Sequence, residues 1–211
     1  MNLRIRITCG VLLIVMVMTI VAGVIIWQQA KMQTAFQNFS YTSEIENSLL
    51  ECRRQEKNYF LRKDYGAIGL FQSYFDTLFT LTTNLSTIIT DDYIISELLL
   101  LKDNLSEYRS NFKKATVYDV QEYNRHYENS VEMCVMSARE CHKIINRIRT
   151  MTTNQFNTAL SVSSVVNKVS VVIGILLSVV ISGFIADKVM DLIGTPEGEI
   201  IKYSNSRKKK S

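Results

Sequence analysis

One proline and eight glycines in 211 residues leave few places where a helix must stop, so long helices are expected and a strand-rich fold is not. The two histidines, His126 and His142, are too few for a metal or haem site, and Cys141 and His142, though adjacent, point to different faces of a helix. P-loop, HExxH and nucleophile-elbow patterns are absent. The residues therefore give no support to an enzyme, a cofactor or a metal. The formal net charge is only +4 and gathers at the termini, in Arg4 and Arg6 and in the final RKKKS from Arg207 to Ser211. A nucleic-acid binder needs a basic face with interleaved aromatics or a reading motif, so nucleic acid is an unexpected partner.

What the sequence does contain is two long apolar runs. From Ile7 to Trp27 it holds 21 residues without a charge, enough at about 1.5 Å per residue to cross a hydrocarbon core of about 30 Å. Gln28 stands where a cleavage site would want a small residue, which favours an uncleaved anchor over a signal peptide. The second run, Ser170 to Ala186, has 17 uncharged residues between Lys168 and Asp187. It reaches spanning length with help from Val162 to Val166. Lys and Arg flank the first run on its N-terminal side and the second on its C-terminal side, which places both termini in the cytoplasm by the positive-inside rule. The expected organisation is a cytoplasmic N-terminus (1–6), a transmembrane helix (7–28), an extracytoplasmic segment (29–168), a second transmembrane helix (169–186) and a cytoplasmic tail (187–211).

The outer segment repeats apolar residues in steps of three and four. Ile68, Phe71, Phe75, Leu78, Thr82, Leu85 and Ile89 form one series, and Leu98, Leu101, Leu105, Tyr108, Phe112 and Ala115 a second. Between them Thr90-Asp91-Asp92 offers a short polar side chain to cap the following helix. Ala35, Thr42, Ile45, Leu49, Cys52 and Tyr59 mark an earlier helix that turns at Asp64-Tyr65-Gly66. A final series runs from Val131 through Cys134, Ala138, Cys141, Ile145, Ile148 and Thr152 toward Val166 and the second span. The fold expected is all-α: a membrane-anchored up-down-up-down four-helix bundle with two transmembrane helices. Helix lengths close only if the last helix begins after a loop near Tyr118 to Tyr127 or the second span begins before Ser170.

Charge is densest in ECRRQEKNYFLRKD, Glu51 to Asp64. Arg53, Arg54, Lys57 and Arg62 are the candidate ligand-binding residues, because arginine forks pair with carboxylates and residues 53 or 54 share a helix face with 57. The same charges also fit a solvated face of local ion pairs, such as Glu56 with Arg53, or Asp64 with an earlier cation. Extending the first heptad series puts Glu56 on the core seam, where a buried carboxylate needs a partner such as a cation on a neighbouring helix. Cys52 lies about 24 residues beyond the first span and Cys141 about 27 residues before the second, so they reach similar heights on straight helices. They are the candidate disulfide pair, with buried thiols filling a helical core as the alternative.

Within this plan RRQEKNYFLRKD resembles the Arg-x-x-Glu-Lys-Phe-Leu-x-Arg pattern in the outer sensor domains of bacterial methyl-accepting chemotaxis receptors, of the helical bimodular and related four-helix-bundle types. Arg53, Glu56, Lys57, Phe60, Leu61 and Arg62 occupy the matching positions. SEYRSNFKKA, Ser106 to Ala115, is similar to the Tyr-x-x-x-Phe helix that follows in that family, and makes Tyr108 and Phe112 core residues. DKVMDLIGTPEGEIIKYSNS resembles the first helix and connector of a HAMP relay, with Pro196 and Glu199 at its usual Pro and Glu. The resemblance implies an inner-membrane chemotaxis sensor that works as a homodimer, alone or with other chemoreceptors. It also implies a small organic acid or amino acid as ligand and signal transduction toward a HAMP segment. The family continues to a signalling hairpin where this sequence stops at RKKKS, so the resemblance implies a receptor's sensing half, with a truncated or frameshifted receptor as an open alternative. The competing expectation is a membrane-anchored scaffold that assembles with other receptors and binds no small ligand.

Overall fold

The computed structural model describes residues 3–120 and 124–193; the HAMP-like segment with Pro196 and Glu199 lies outside the described residues. The backbone forms four helices, α1 (Leu3–Arg62), α2 (Gly66–Ile88), α3 (Asp92–Val120) and α4 (Asn124–Ile193), and no strand is found among the described residues. The chain divides into two compact units, one of residues 29–161 and one of the described residues up to Gln28 together with those from Val162.

In the second of these units the apolar runs of α1 and α4 present their side chains outward. Leu12, Leu13, Met16 and Ile20 on α1, and Val171, Ile175, Val179 and Val180 on α4, are all more than half exposed. So much exposed aliphatic surface is unfavourable against water, at roughly 25 cal/mol per Å². Both helices are long and apolar enough to cross a membrane.

The unit of residues 29–161 has a core drawn from all four helices. Leu49 and Tyr59 of α1, Phe71, Phe75 and Leu78 of α2, Leu98, Leu101 and Tyr108 of α3, and Ala138, Ile145 and Ile148 of α4 are buried together. These are the residues the heptad steps select, because positions three and four apart share one helical face. Each fully buried large side chain contributes about 1.5–3 kcal/mol, so this shared core is what holds the segment. The register departs from expectation at the start of α2, where Ala67 is buried and Ile68 is half-buried against the core. Farther along α4, Val162 is exposed and belongs to the other unit.

The turns between α1 and α2 and between α2 and α3 fall where the polar residues stand. Asp91 caps α3: its Oδ1 accepts from the N–H groups of Tyr93 (3.1 Å) and Ile94 (3.2 Å), two donors that the first turn otherwise leaves unpaired. Asp64 Oδ1 accepts from the Gly66 N–H at 3.0 Å, and a Cβ at Gly66 would lie 3.1 Å from that oxygen, so glycine allows the close approach. Asp64 therefore closes the turn, and the sequence alternative that pairs it with an earlier cation is not what the described structure shows. α3 ends at Val120 and α4 begins at Asn124, and from Val162 onward α4 belongs to the other unit.

Lys63 ends α1 in the left-handed region at φ 54°, with its N–H donating to the Tyr59 carbonyl at 2.9 Å. For a residue other than glycine that conformation costs on the order of 1–2 kcal/mol. What offsets it is the Lys63 side chain, whose Nζ donates to Asp119 Oδ1 at 2.5 Å and to the Tyr127 hydroxyl at 3.0 Å. The Tyr59 hydroxyl donates to the other Asp119 oxygen at 2.8 Å. Burial raises the affinity of Asp119 for a proton, but the bonds from Lys63 and Tyr59 outweigh it and hold the carboxyl below its usual value. A depressed carboxylate contributes stability above its unfolded value, near 4, and loses it as the pH falls through the folded value. Asp119→Asn is therefore expected to destabilise by about 1 kcal/mol at pH 7, at the low end for a charge-assisted bond partly open to water. Denaturant melts should show the difference from wild type shrinking between about pH 5 and pH 2.

Candidate ligand site on helices 1 and 4

Three of the four cations singled out in the sequence meet on one surface. Arg53, Arg54 and Lys57 of α1 line an open depression of about 340 Å³ together with Leu50 and, from α4, His142. Arg62 is exposed in the last turn of α1 and does not line it. His142 and Leu50 are the lining residues that sequence reasoning missed. The signal for His142 was the similar height of Cys52 and Cys141, which puts His142 within one helical turn of the level of Arg53.

The local electrostatics leave part of this cationic surface open. Arg54 Nη2 lies 2.8 Å from Glu51 Oε2, a close contact outside hydrogen-bond alignment. The Arg54 side chain is 62% exposed, so that pairing is weak and screened. The Nε–H of Arg53 is buried with no hydrogen-bond partner among the described residues. A buried donor left unpaired costs about 1–3 kcal/mol. Chemically the depression offers forked and point donors of positive charge, an imidazole and one apolar wall, a set suited to a small anion with a short apolar portion.

Glu56 is not an ion-pair partner in an exposed face. Its carboxylate lies in the core, where the Tyr108 hydroxyl of α3 donates to Oε2 at 2.6 Å. The inter-helix partner expected for this acid is thus a phenol. Burial pushes the carboxyl up from its ordinary value, against the opposing pull of the Tyr108 bond, Arg53 and Lys57.

Cys52, Cys134 and Cys141 are buried free thiols. Cys52 and Cys141, the candidate pair, are near enough to act on each other electrostatically, and burial is the main reason both are pushed up to about 12. Thiols so protonated are poor nucleophiles and fill the core as small apolar groups. No group of three metal-ligating side chains forms among the described residues.

No protein-family model matches the chain, and no curated protein matches it.

Two outcomes follow from this geometry. Tyr108→Phe strips the hydrogen-bond donor from Glu56 Oε2 and is expected to destabilise by about 1.5–3 kcal/mol at pH 8. Because the folded-state value of Glu56 is raised, its neutral form is favoured at low pH, and the loss should fall to about 1 kcal/mol at pH 4.5. Denaturant titrations at the two pH values measure this. Alkylation of the denatured chain followed by mass analysis should label Cys52 and Cys141 equally with and without reductant; a mass shift that needs reductant would restore the disulfide.

Proposed function

We propose that the chain is a bacterial inner-membrane sensor of the chemoreceptor type. In this reading α1 and α4 each cross the membrane once, both termini are cytoplasmic, and residues 29–168 form an extracytoplasmic up-down-up-down four-helix bundle that works as a homodimer. The observation that carries it is the meeting of Arg53, Arg54, Lys57 and His142 in one depression, with a buried Arg53 donor unpaired beside them. A small organic acid, or an amino acid through its carboxylate, is the ligand class these donors recognise. α4 supports the signalling half of the reading, because one unbroken helix carries both the His142 wall and the apolar run. A ligand that favours one of two nearby positions of such a helix shifts the population between them, toward a HAMP-like segment. Other chemoreceptor chains are candidate partners in this signal.

A scaffold that binds no small ligand is the second reading, favoured by the exposed apolar side chains Leu61 (80%) and Leu99 (56%) on the same unit, surface that a protein partner could cover.

Thermal-shift screening of the full chain in detergent, against organic acids, amino acids and amines, separates the two. A sensor is expected to gain stability by about 2.7 kcal/mol at a ligand concentration of a hundred times Kd. That gain should be lost in Arg54→Ala. A folded protein that shifts with no compound would favour the scaffold.

A further inference from the structure

Glu56 stands beside the cationic depression but faces away from it. It follows Arg53 by one turn of α1 and adjoins Lys57, both of which line the depression, while its own carboxylate is turned into the core and the residue is 1% exposed. The charged and titratable groups around it are Cys52, Arg53 and Lys57 on α1, Tyr108 on α3 and Cys134 on α4. From α2 come the rings of Phe71 and Phe75, packed against Tyr108 at 5.3 and 6.4 Å between centroids. Among these groups Arg53 and Lys57 are the positive ones, and their field is what favours the ionised carboxylate.

An anion held in the depression draws on those same two cations and adds a negative charge close to Glu56. Two negative charges then share one pair of positive ones across a low-dielectric core, an arrangement that disfavours the second charge. We propose that Glu56 takes up a proton when an anion occupies the depression, so that the site binds an anion and a proton together and binds more tightly as the pH falls. This rests on the reading of the depression as an anion site and adds its regulation. Burial already raises the proton affinity of Glu56 before any ligand arrives, which moves the linkage up toward neutral pH. By reciprocity, an anion that raises the proton affinity of Glu56 has its own affinity raised by the proton in equal measure. The thiols and the phenol are all pushed upward and stay neutral throughout the range. His142 is the imidazole that lines the depression, and its part must be separated from that of Glu56.

The test uses the full chain in detergent with sodium sulfate as the probe, since sulfate stays doubly charged from pH 5.5 to 8. Calorimetric titrations at constant ionic strength, in two buffers of different ionisation heat, give affinity and protons taken up. Binding is expected to be about tenfold tighter at pH 5.5 than at pH 8, with net proton uptake between them, a size usual for coupled sites. His142→Gln should keep most of that dependence. Glu56→Gln, which imitates the protonated acid and can still accept from Tyr108, should bind sulfate at the acid-pH affinity at every pH. Dependence lost in His142→Gln, dependence kept in Glu56→Gln, or pH-independent binding in wild type would each overturn the proton linkage and leave the anion site standing. No sulfate binding at either pH by folded wild-type protein would remove both.

Discussion

The bond from the Tyr108 hydroxyl to the buried Glu56 carboxylate is the constraint around which the helices of residues 29–161 are arranged. An apolar seam tolerates sliding by a heptad, since one Leu can replace another. A carboxylate removed from water does not, because an unpaired buried charge costs several kcal/mol. Moving α3 by seven residues would bring Leu101 or Ala115 to the place of Tyr108, and neither can donate. The bond therefore selects one register of α1 against α3 and also fixes how α1 is rotated. With Glu56 turned inward, Arg54 and Lys57 are exposed.

α4 is placed by pairs on two of its sides. Arg149 donates through one nitrogen to both oxygens of Glu46 on α1, at 2.9 and 2.8 Å. Arg147 forks onto Glu97 of α3, its shortest bond 2.7 Å, and Asn111 of α3 donates to Ser137 at 3.0 Å. Residues two apart on a helix point roughly 200° apart, so Arg147 and Arg149 reach to different neighbours. The Glu46 pair then sets the wall of the depression. Seven residues along α1 from Glu46 is Arg53, and seven residues back along α4 from Arg149 is His142. Opposed helices in heptad register bring those two together, as they meet in the depression. An ion pair with one partner half exposed adds little stability by itself. Its effect here is alignment.

The helices and their core were legible because they depend on local periodicity and on scarce breakers. Thr42, Cys52, Thr82, Cys141 and Thr152 were read as inward positions despite being small or polar, and all five are buried. Asp91 was legible as a cap because a short acid before an apolar series has few other uses. What could not be read was contact between helices distant in sequence. The Tyr59, Asp119, Lys63 and Tyr127 cluster joins the ends of α1 and α3 to the start of α4, and nothing local to any of these residues announces the others. The left-handed Lys63 is likewise hidden, since lysine has no preference for that conformation and is held in it by its tertiary partners. The candidate site was half legible for the same reason. Three cations on one helix are a local pattern, whereas His142 enters through the alignment of α1 with α4.

Glu56 also bears on why such a core contains an acid at all. Replacing a buried polar pair with apolar residues of similar shape is often neutral or stabilising, so stability alone gives little reason to keep a carboxylate among Phe71, Phe75 and Cys134. Phe71 and Phe112 stack at 3.8 Å in the same core, an environment that suits a Leu better than an acid. Two uses remain for the acid. Register is one, and a neutral amide at position 56 with Tyr108 opposite would serve it without a charge. Sensitivity to the charge of the neighbouring surface is the other, and only an ionisable group placed behind Arg53 and Lys57 provides it. The ionisable side chain, rather than its amide, is therefore the feature that joins the packing of this unit to the chemistry of its cationic depression.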